Sequence, residues 1–273
     1  MIRNDLEKGA KIIFQVLPVR DFTYFCDYNI YIFHKITIIK LNTAMKKLLL
    51  FFTITGWVFA ANAQNVQLHY DMGEGRGFLT STVEMFKPDK MGSTFFFIDM
   101  DYNTGDVEGI SLAYWEIARA LKLGDSPFAF HGEYNGGFGQ WKAGNASGAY
   151  TINSAWLTGF EYSWNAADFS KGFTLQALYK YIRGKHDASF QLTGVWYLNF
   201  ANNKLSFTGF ADLWREDMVF GPDKTKFVFL SEPQLWYNCT KNFSVGGEVE
   251  LSSNFGGMKG FNVMPTLGAK VTF

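Results

Sequence analysis

The chain has 273 residues and no formal net charge, and charged and aromatic residues each make up 18% of it. A chain so rich in aromatic residues and so poor in net charge is not typical of a disordered protein. No predicted element carries a run of Lys or Arg along its length, so no nucleic acid is predicted as a partner. The content of 29 Phe and 27 Gly with only 6 Pro favours an all-β protein over a helical bundle.

Residues 45–63 have the pattern of a secretory signal peptide. Lys46 and Lys47 precede the apolar segment 48–60, and the letters ANA before Gln64 fit the small-residue cleavage rule. The alternative is a transmembrane anchor, but the apolar run is short for a span. We therefore predict cleavage near Gln64, with residues 1–44 as an upstream extension from a start codon assigned too early.

Residues 64–273 carry 17 Lys/Arg and 21 Asp/Glu, which gives a net charge of −4. They contain a single cysteine, Cys239, so a cluster of cysteine ligands for zinc is excluded. We predict no metal and no cofactor. Because this part also lacks a long apolar run, an exported chain of this kind is a soluble secreted protein, a periplasmic protein or an outer-membrane β-barrel.

Apolar and polar residues alternate with a period of two almost throughout this part of the chain. In the last segment, Phe261 and Leu267 fall on one face, whereas Asn262 and Lys270 fall on the other. Twelve strands are predicted, near residues 65–72, 79–87, 93–102, 109–122, 127–137, 150–164, 172–183, 187–198, 204–215, 225–237, 242–253 and 261–273.

The predicted connections alternate between tight turns and longer loops, of which 135–149 and 215–226 are the longest. Outer-membrane barrels have an even number of antiparallel strands, short periplasmic turns and longer outer loops. The pattern therefore predicts a transmembrane antiparallel β-barrel of about 12 strands in residues 64–273, with both termini periplasmic. An open sheet edge is not viable in lipid, so the last strand should pair with the first.

A soluble barrel or sandwich is the alternative, because alternation alone does not say which face points inward. Large apolar residues occupy most positions of one face, and a soluble barrel would have to pack all of them inside. In a membrane barrel these residues contact lipid, and the face rich in Ser, Thr, Gln and Glu lines the lumen. The size of the apolar residues favours the membrane barrel.

A resemblance to a known family rests on the stretches FLTSTVEMFKPDKMGSTFFFIDMDYN, YWEIARALKL, AWLTGFEYSW, FTLQALYKY and LSFTGFADLWRE. In this order they resemble the Tsx-like nucleoside-specific channels, and more closely an uncharacterised branch of outer-membrane proteins grouped with them. The resemblance spans most of residues 65–273. It implies a monomeric twelve-stranded barrel with a narrow lumen, which passes nucleosides by diffusion past aromatic and ionisable residues.

The third predicted strand places two aromatic rings and two acids on one face: Phe95, Phe97, Asp99 and Asp101. In a lumen, the rings would stack on a flat base, a contact worth about 1–3 kcal/mol in single-strand binders, and the carboxylates would accept hydrogen bonds from sugar hydroxyls. The alternative is that the rings only fill space in a small barrel. Other predicted lumen residues of the substrate path are Glu84, Glu116, His131 and Glu133.

Arg119 falls on the face predicted to contact lipid. A charge there costs about 2–4 kcal/mol at the middle of the membrane. We therefore predict a β-bulge near Ala118 that turns Arg119 into the lumen, where it would pair with Glu116 or Glu133.

The sequence as a whole predicts a channel in the outer membrane of a Gram-negative bacterium, through which nucleosides or similar small polar solutes diffuse passively. It does not predict an enzyme, since no serine lies in a G-x-S-x-G setting. Two alternatives are an outer-membrane enzyme acting on lipid, with His186 as a candidate residue, and a closed barrel whose outer loops have a structural or receptor role.

The end of the given sequence combines alternating apolar residues with a last aromatic one: Leu267, Val271 and Phe273. This pattern resembles the signal that the barrel-assembly machinery reads in outer-membrane proteins. The predicted partners are therefore outer-membrane lipid, that machinery and a small polar solute, and the barrel is predicted to be a monomer.

Overall fold

The computed structural model describes residues 64–185 and 189–273. The predicted extension 1–44, the predicted signal peptide 45–63 and His186 lie outside the described residues. The strands are β1 (Gln64–Asp71), β2 (Leu79–Asp89), β3 (Gly92–Tyr102), β4 (Ile110–Lys122), β5 (Phe128–Ala143), β6 (Ala146–Asn165), β7 (Lys171–Ile182), β8 (Ser189–Phe200), β9 (Leu205–Phe220), β10 (Asp223–Ser231), β11 (Gln234–Asn238), β12 (Phe243–Ser253) and β13 (Phe261–Thr272). Within the described residues, no helix is long and apolar enough to cross a membrane.

All of these strands belong to one antiparallel sheet that closes on itself. The last strand, β13, pairs with β12 on one side and with β1 on the other, where Val271 lies opposite Val66. Both β10 and β11 lie between β9 and β12, so together they form one strand of the barrel. The fold is a closed twelve-stranded antiparallel barrel, which confirms the predicted architecture and the pairing of the last strand with the first.

The strand predicted as continuous from 225 to 237 is interrupted at Glu232 and Pro233, between β10 and β11. Proline has no backbone N–H to donate to the ladder, which explains the break. Opposite the break, Gly209 has a φ of 153°, and a Cβ added to it would lie 2.6 Å from the Glu232 carbonyl oxygen. A residue with a Cβ would therefore be strained at this position of β9, where the strand runs close to the break.

The two ends of the barrel differ in their connections. The end that carries Gln64 and Phe273, here the terminal end, has short links, and the opposite end, here the loop end, has links such as 72–78 and 103–109. The longest predicted loops, 135–149 and 215–226, were wrong as loops, because β5 with β6 and β9 with β10 continue as paired hairpins through most of these residues. The glycines that indicated a loop instead allow a register shift near Gly136 and a close approach at Gly137.

The outer face of the barrel is apolar. Large hydrophobic side chains point outward at alternate positions, and Ile117, Phe160 and Leu267 are 53%, 57% and 64% exposed. Their strand neighbours of opposite parity, such as Glu116 and Glu161, point inward. The predicted assignment of the two faces is confirmed, because the burial pattern follows it along the strands.

Candidate functional site: the barrel lumen

The inner face of the barrel is rich in carboxylates. Several of them are half-buried although the barrel wall surrounds them, so there is room for water beside their side chains. Inward-facing acids include Asp71, Glu84, Asp99, Asp101, Glu116, Glu133, Glu161, Asp212, Glu216, Glu232, Glu248 and Glu250. Among the described residues, fewer Lys and Arg than acids face inward, and they include Arg76, Lys180 and Lys270.

The predicted aromatic and acidic residues of β3 do share the lumen. The rings of Phe95 and Phe97 lie 6.0 Å apart, and Phe97 lies 5.9 Å from Tyr114 on β4. The sequence reasoning missed Tyr114, although it has the same parity as Glu116 two positions later. These three rings form an aromatic row along the inner wall.

The acids that follow this row are each held by a hydroxyl group from β2. Thr82 donates to Asp99 over 2.5 Å, and Thr80 donates to Asp101 over 2.7 Å. The side chain of Glu84, which faces Phe97 in the ladder, accepts a hydrogen bond from Asn65 Nδ2 at 2.8 Å. The hydrogen bonds fix the carboxylates in position beside the aromatic row.

His131 and Glu133 lie on the inner face of β5, as predicted. The two ring nitrogens of His131 lie 2.8 Å from Glu161 and 2.9 Å from Glu133. Both nitrogens can donate at the same time only when the imidazole carries two protons. On the neighbouring strand, Tyr114 donates to Glu116 over 2.7 Å.

An apolar cluster lines the lumen on the side of β6, β7, β9 and β10, where Leu157, Leu178, Trp214 and Val228 are buried together. Lys180 lies at its border, with Nζ 4.3 Å from the centre of the Trp214 ring and 2.7 Å from Gln191 Oε1. The lumen therefore combines acids on β3, β4 and β5 with an apolar cluster that begins on the neighbouring strand β6.

A third part of the wall is tightly packed. Trp236 is fully buried at 0% exposure and touches the His69 ring edge-on, with centroids 5.5 Å apart. The ammonium group of Lys270 lies 4.3 Å from the centre of the same indole, and the indole N–H donates to Gln234. This packing narrows the lumen near the terminal end.

Arg76, which sequence reasoning did not select, enters the lumen from the link between β1 and β2. Its guanidinium donates to Asp71 and to Glu250, each over 2.8 Å. Strand periodicity does not apply to a residue in a loop, so the sequence did not indicate that the Arg76 side chain points into the lumen. The arginine joins the loop to carboxylates of the inner wall.

The prediction that a bulge turns Arg119 into the lumen was wrong. The pairing of β4 with β3 and β5 is regular around Ala118 and Arg119, so the side chain stays on the outer face. It donates to both carboxylate oxygens of Asp89, over 2.6 and 2.9 Å, and to Thr94. The cost of a charge in the membrane falls towards its surfaces, and this pair lies beside the tight turn at the terminal end.

The predicted assembly residues Leu267, Val271 and Phe273 are exposed on the outer face, at 64%, 40% and 48%. No group of three or more His, Cys, Asp or Glu side chains suited to a metal ion occurs in the described part of the chain.

Solved structures share this fold at low sequence identity. The NanC porin is 14% identical, with a TM-score of 0.51 over 77% of this chain and 100% of that one. The KdgM porin is 12% identical, with a TM-score of 0.45 over 77% and 99% of the two chains. The outer membrane protein Omp33 of Acinetobacter baumannii is 14% identical, with a TM-score of 0.38 over 78% and 98%.

At this identity, the likeness to the NanC porin supports the barrel fold alone. No curated protein matches the chain in sequence. The model of one family, described as Domain of unknown function (DUF5020), matches residues 63–273. The chain belongs to this family.

Proposed function

We propose that the barrel is an outer-membrane channel through which small polar solutes diffuse passively. The observation that supports it best is the combination of a closed barrel with an apolar exterior and half-buried carboxylates inside. An apolar outer face suits lipid, and a polar interior suits a water-filled path. The barrel completes its own hydrogen bonding, so it needs no second copy to close.

In this proposal the terminal end faces the periplasm and the loop end faces outward, because outer-membrane barrels have short periplasmic turns and longer outer loops. The long hairpins of β5 with β6 and β9 with β10 then extend on the outer side. The orientation is tested in intact cells by biotin labelling of a cysteine placed at Gly144, in the turn between β5 and β6.

Nucleosides are the solute class that we propose within this function. The aromatic row of Phe95, Phe97 and Tyr114 offers ring faces to a base, and Asp99 and Asp101 offer acceptors to sugar hydroxyls. The resemblance to the Tsx-like channels supports the same class. Stacking on such rings contributes about 1–3 kcal/mol per base.

Planar-bilayer recording with purified protein tests the channel directly. We expect discrete current steps, and a reduction of the current by adenosine that is lost in Phe97→Ala and Asp99→Asn. The matched control is Phe160→Ala, since this ring is 57% exposed on the outer face. Current without adenosine block would contradict the nucleoside assignment, and the absence of current would contradict the channel.

A closed barrel with a structural or receptor role is the second candidate. The observation in its favour is the packing of Trp236, His69 and Lys270 together with the apolar cluster around Trp214, which fills part of the lumen. A purified, correctly folded barrel that never conducts would favour this candidate.

A further inference from the structure

We propose that the middle of the lumen contains a binding site for an organic ammonium ion, formed by Glu116, Glu133, Asp212 and Asn135. The site deepens the proposed channel function and rests on it for the route by which the ion enters. It adds a ligand class to the proposed path, a small organic cation, which the proposed passage of uncharged nucleosides does not include.

The acidic residues of the site come from three strands and face a common space. Glu116 lies opposite Asn135 in the β4–β5 ladder, and Glu133 is the next inward residue of β5. Glu116 interacts electrostatically with Glu133 and with Asp212 of β9. In the described part of the chain, neither Glu116 nor Asp212 has a Lys or Arg nitrogen within ion-pair distance. The third acid, Glu133, pairs through Oε2 with His131 Nε2 at 2.9 Å, and only its Oε1 is left for a ligand.

Two acceptor atoms at this place have no hydrogen-bond partner in the structure. They are Glu133 Oε1 and Asn135 Oδ1, and both are buried. The Asn135 side chain belongs to a residue that is only 4% exposed, so bulk water does not reach it freely. Buried acceptors without partners are unfavourable, and a ligand that brings N–H donors relieves this.

The hydrogen-bonding groups of the site favour a ligand with an ammonium group. Carboxylates and the amide oxygen only accept, whereas an ammonium group has three donors and no acceptor. Hydrogen bonds between an ammonium group and a carboxylate are charge-assisted and stronger than neutral ones. An anionic solute would instead meet like charges at the same place.

The neighbouring apolar cluster indicates what the ammonium group is attached to. Leu157 lies directly opposite Glu133 in the β5–β6 ladder, and Leu178 and Trp214 continue the apolar surface from there. A short alkyl or aryl body would lie along these side chains while its ammonium group faces the acids. The site therefore fits an amphipathic cation.

Lys180 is an internal competitor at the border of the site. It interacts electrostatically with Glu116 and Asp212, but its Nζ is held 2.7 Å from Gln191 and above the Trp214 ring. Its charge offsets part of the negative charge of the acids without occupying the unpartnered acceptors. Removing this charge should strengthen the binding of an added cation.

Calorimetric titration of the full barrel in detergent with n-butylamine tests the site, with 1-butanol as the neutral probe of the same length. We expect binding of the amine and none of the alcohol. In the triple variant Glu116→Gln, Glu133→Gln, Asp212→Asn, n-butylamine should bind at least about tenfold more weakly, since charge-assisted bonds are lost. The matched control is Glu108→Gln, which neutralises an exposed acid in the link between β3 and β4.

Lys180→Met provides a test in the opposite direction, with binding expected to become about threefold tighter, because a like charge near the ligand is removed. If the triple variant does not fold, judged by its migration on gels before and after heating, Glu116→Gln and Lys180→Met decide the question. Binding of n-butylamine no stronger than that of 1-butanol, or equal binding of the amine by the variants, would overturn the site.

Current measurements separate this site from the channel itself. A barrel that conducts but shows no n-butylamine binding contradicts the ammonium site and leaves the channel standing. A barrel that binds n-butylamine but never conducts contradicts the channel and leaves the site standing.

Discussion

The guanidinium of Arg76 donates to the carboxylate of Glu250 over 2.8 Å, although the two residues lie 174 positions apart. The same guanidinium also donates to Asp71. Because β12 and β1 flank the closing strand β13, this arginine bridges the seam of the barrel from the loop side. It places one positive charge between two inward carboxylates at the point where the loop meets the wall.

Arg76→Met should destabilise the barrel, because Asp71 and Glu250 then lie close together without a cation. Breaking a fully buried pair costs about 3–5 kcal/mol. Arg76 keeps 21% exposure, so water screens part of the effect and we expect on the order of 2 kcal/mol. The measurement is the urea midpoint of the folded barrel in lipid vesicles.

The matched control is Arg183→Met, an exposed arginine in another loop-end link. Adding Glu250→Gln to Arg76→Met should restore part of the stability, since one of the two uncompensated charges is removed. An unchanged midpoint in the single variant would show that the arginine is not required for seam stability.

Gly209→Ala should destabilise the barrel at the break between β10 and β11. The added Cβ would lie 2.6 Å from the Glu232 carbonyl oxygen and 2.9 Å from Pro233 Cα, and the φ of 153° is one that side chains rarely adopt. Overpacking of this kind costs about 1–3 kcal/mol. Gly194→Ala on β8 is the control, because the nearest atom to its Cβ, a terminal atom of Leu175, is 3.7 Å away. Equal unfolding midpoints for the two variants would refute the close-contact explanation.

Trp236→Ala should enlarge the lumen near the terminal end and raise the single-channel conductance. The indole is fully buried between His69 and Lys270, so its removal leaves a cavity in the path. The same change should lower stability by about 3–5 kcal/mol, as large-to-small changes do in packed interiors. Trp156→Ala removes an indole of the outer face, 60% exposed, and should leave the conductance unchanged. A Trp236→Ala barrel that conducts like the parent would show that the solute path avoids this indole.

The parity of the strands was predictable because two-residue periodicity is a local property. Alternation placed Asp99, Glu116 and His131 on the inner face, and the structure agrees. It also gave the number of barrel strands, since the turn residues between them follow from local backbone requirements. Alternation does not indicate which residue of a distant strand or loop an inward side chain will contact.

Arg119 and Arg76 illustrate that limit in opposite ways. For Arg119, the rule that charges avoid lipid led us to predict a bulge. The structure has none there, because a position near a turn lets Arg119 pair with Asp89 while its side chain stays on the outer face. For Arg76, no rule of periodicity applies, and its partner Glu250 is brought near only when the barrel closes. Long-range ion pairs follow from closure and register, which a single sequence does not show.

The hairpins of β5 with β6 and β9 with β10 were misread for a related reason. A segment dense in glycine is typical of a loop. Here a Cβ added to Gly137 would lie 2.6 Å from the Ala113 carbonyl oxygen, so a glycine at this position allows the two strands to pack. Composition alone does not separate a glycine that allows a loop from one that allows two strands to approach.

Ile117→Lys should prevent normal insertion into the membrane. Ile117 is 53% exposed on the outer face of β4, two residues before Arg119 and farther from the turn. A lysine on the lipid face near the bilayer middle costs about 2–4 kcal/mol, and less near the interfaces. We expect less heat-modifiable barrel in the membrane fraction and more unfolded protein.

The control for Ile117→Lys places the same charge on the other face. Gln176 points into the lumen and donates to Glu161, so Gln176→Lys puts an ammonium group beside a carboxylate in a polar interior. This variant should insert normally and shift the reversal potential in a salt gradient towards anions, because one negative charge of the lumen is offset. If the two lysines impair insertion equally, the outer face of the barrel does not contact lipid, and the membrane assignment must be abandoned.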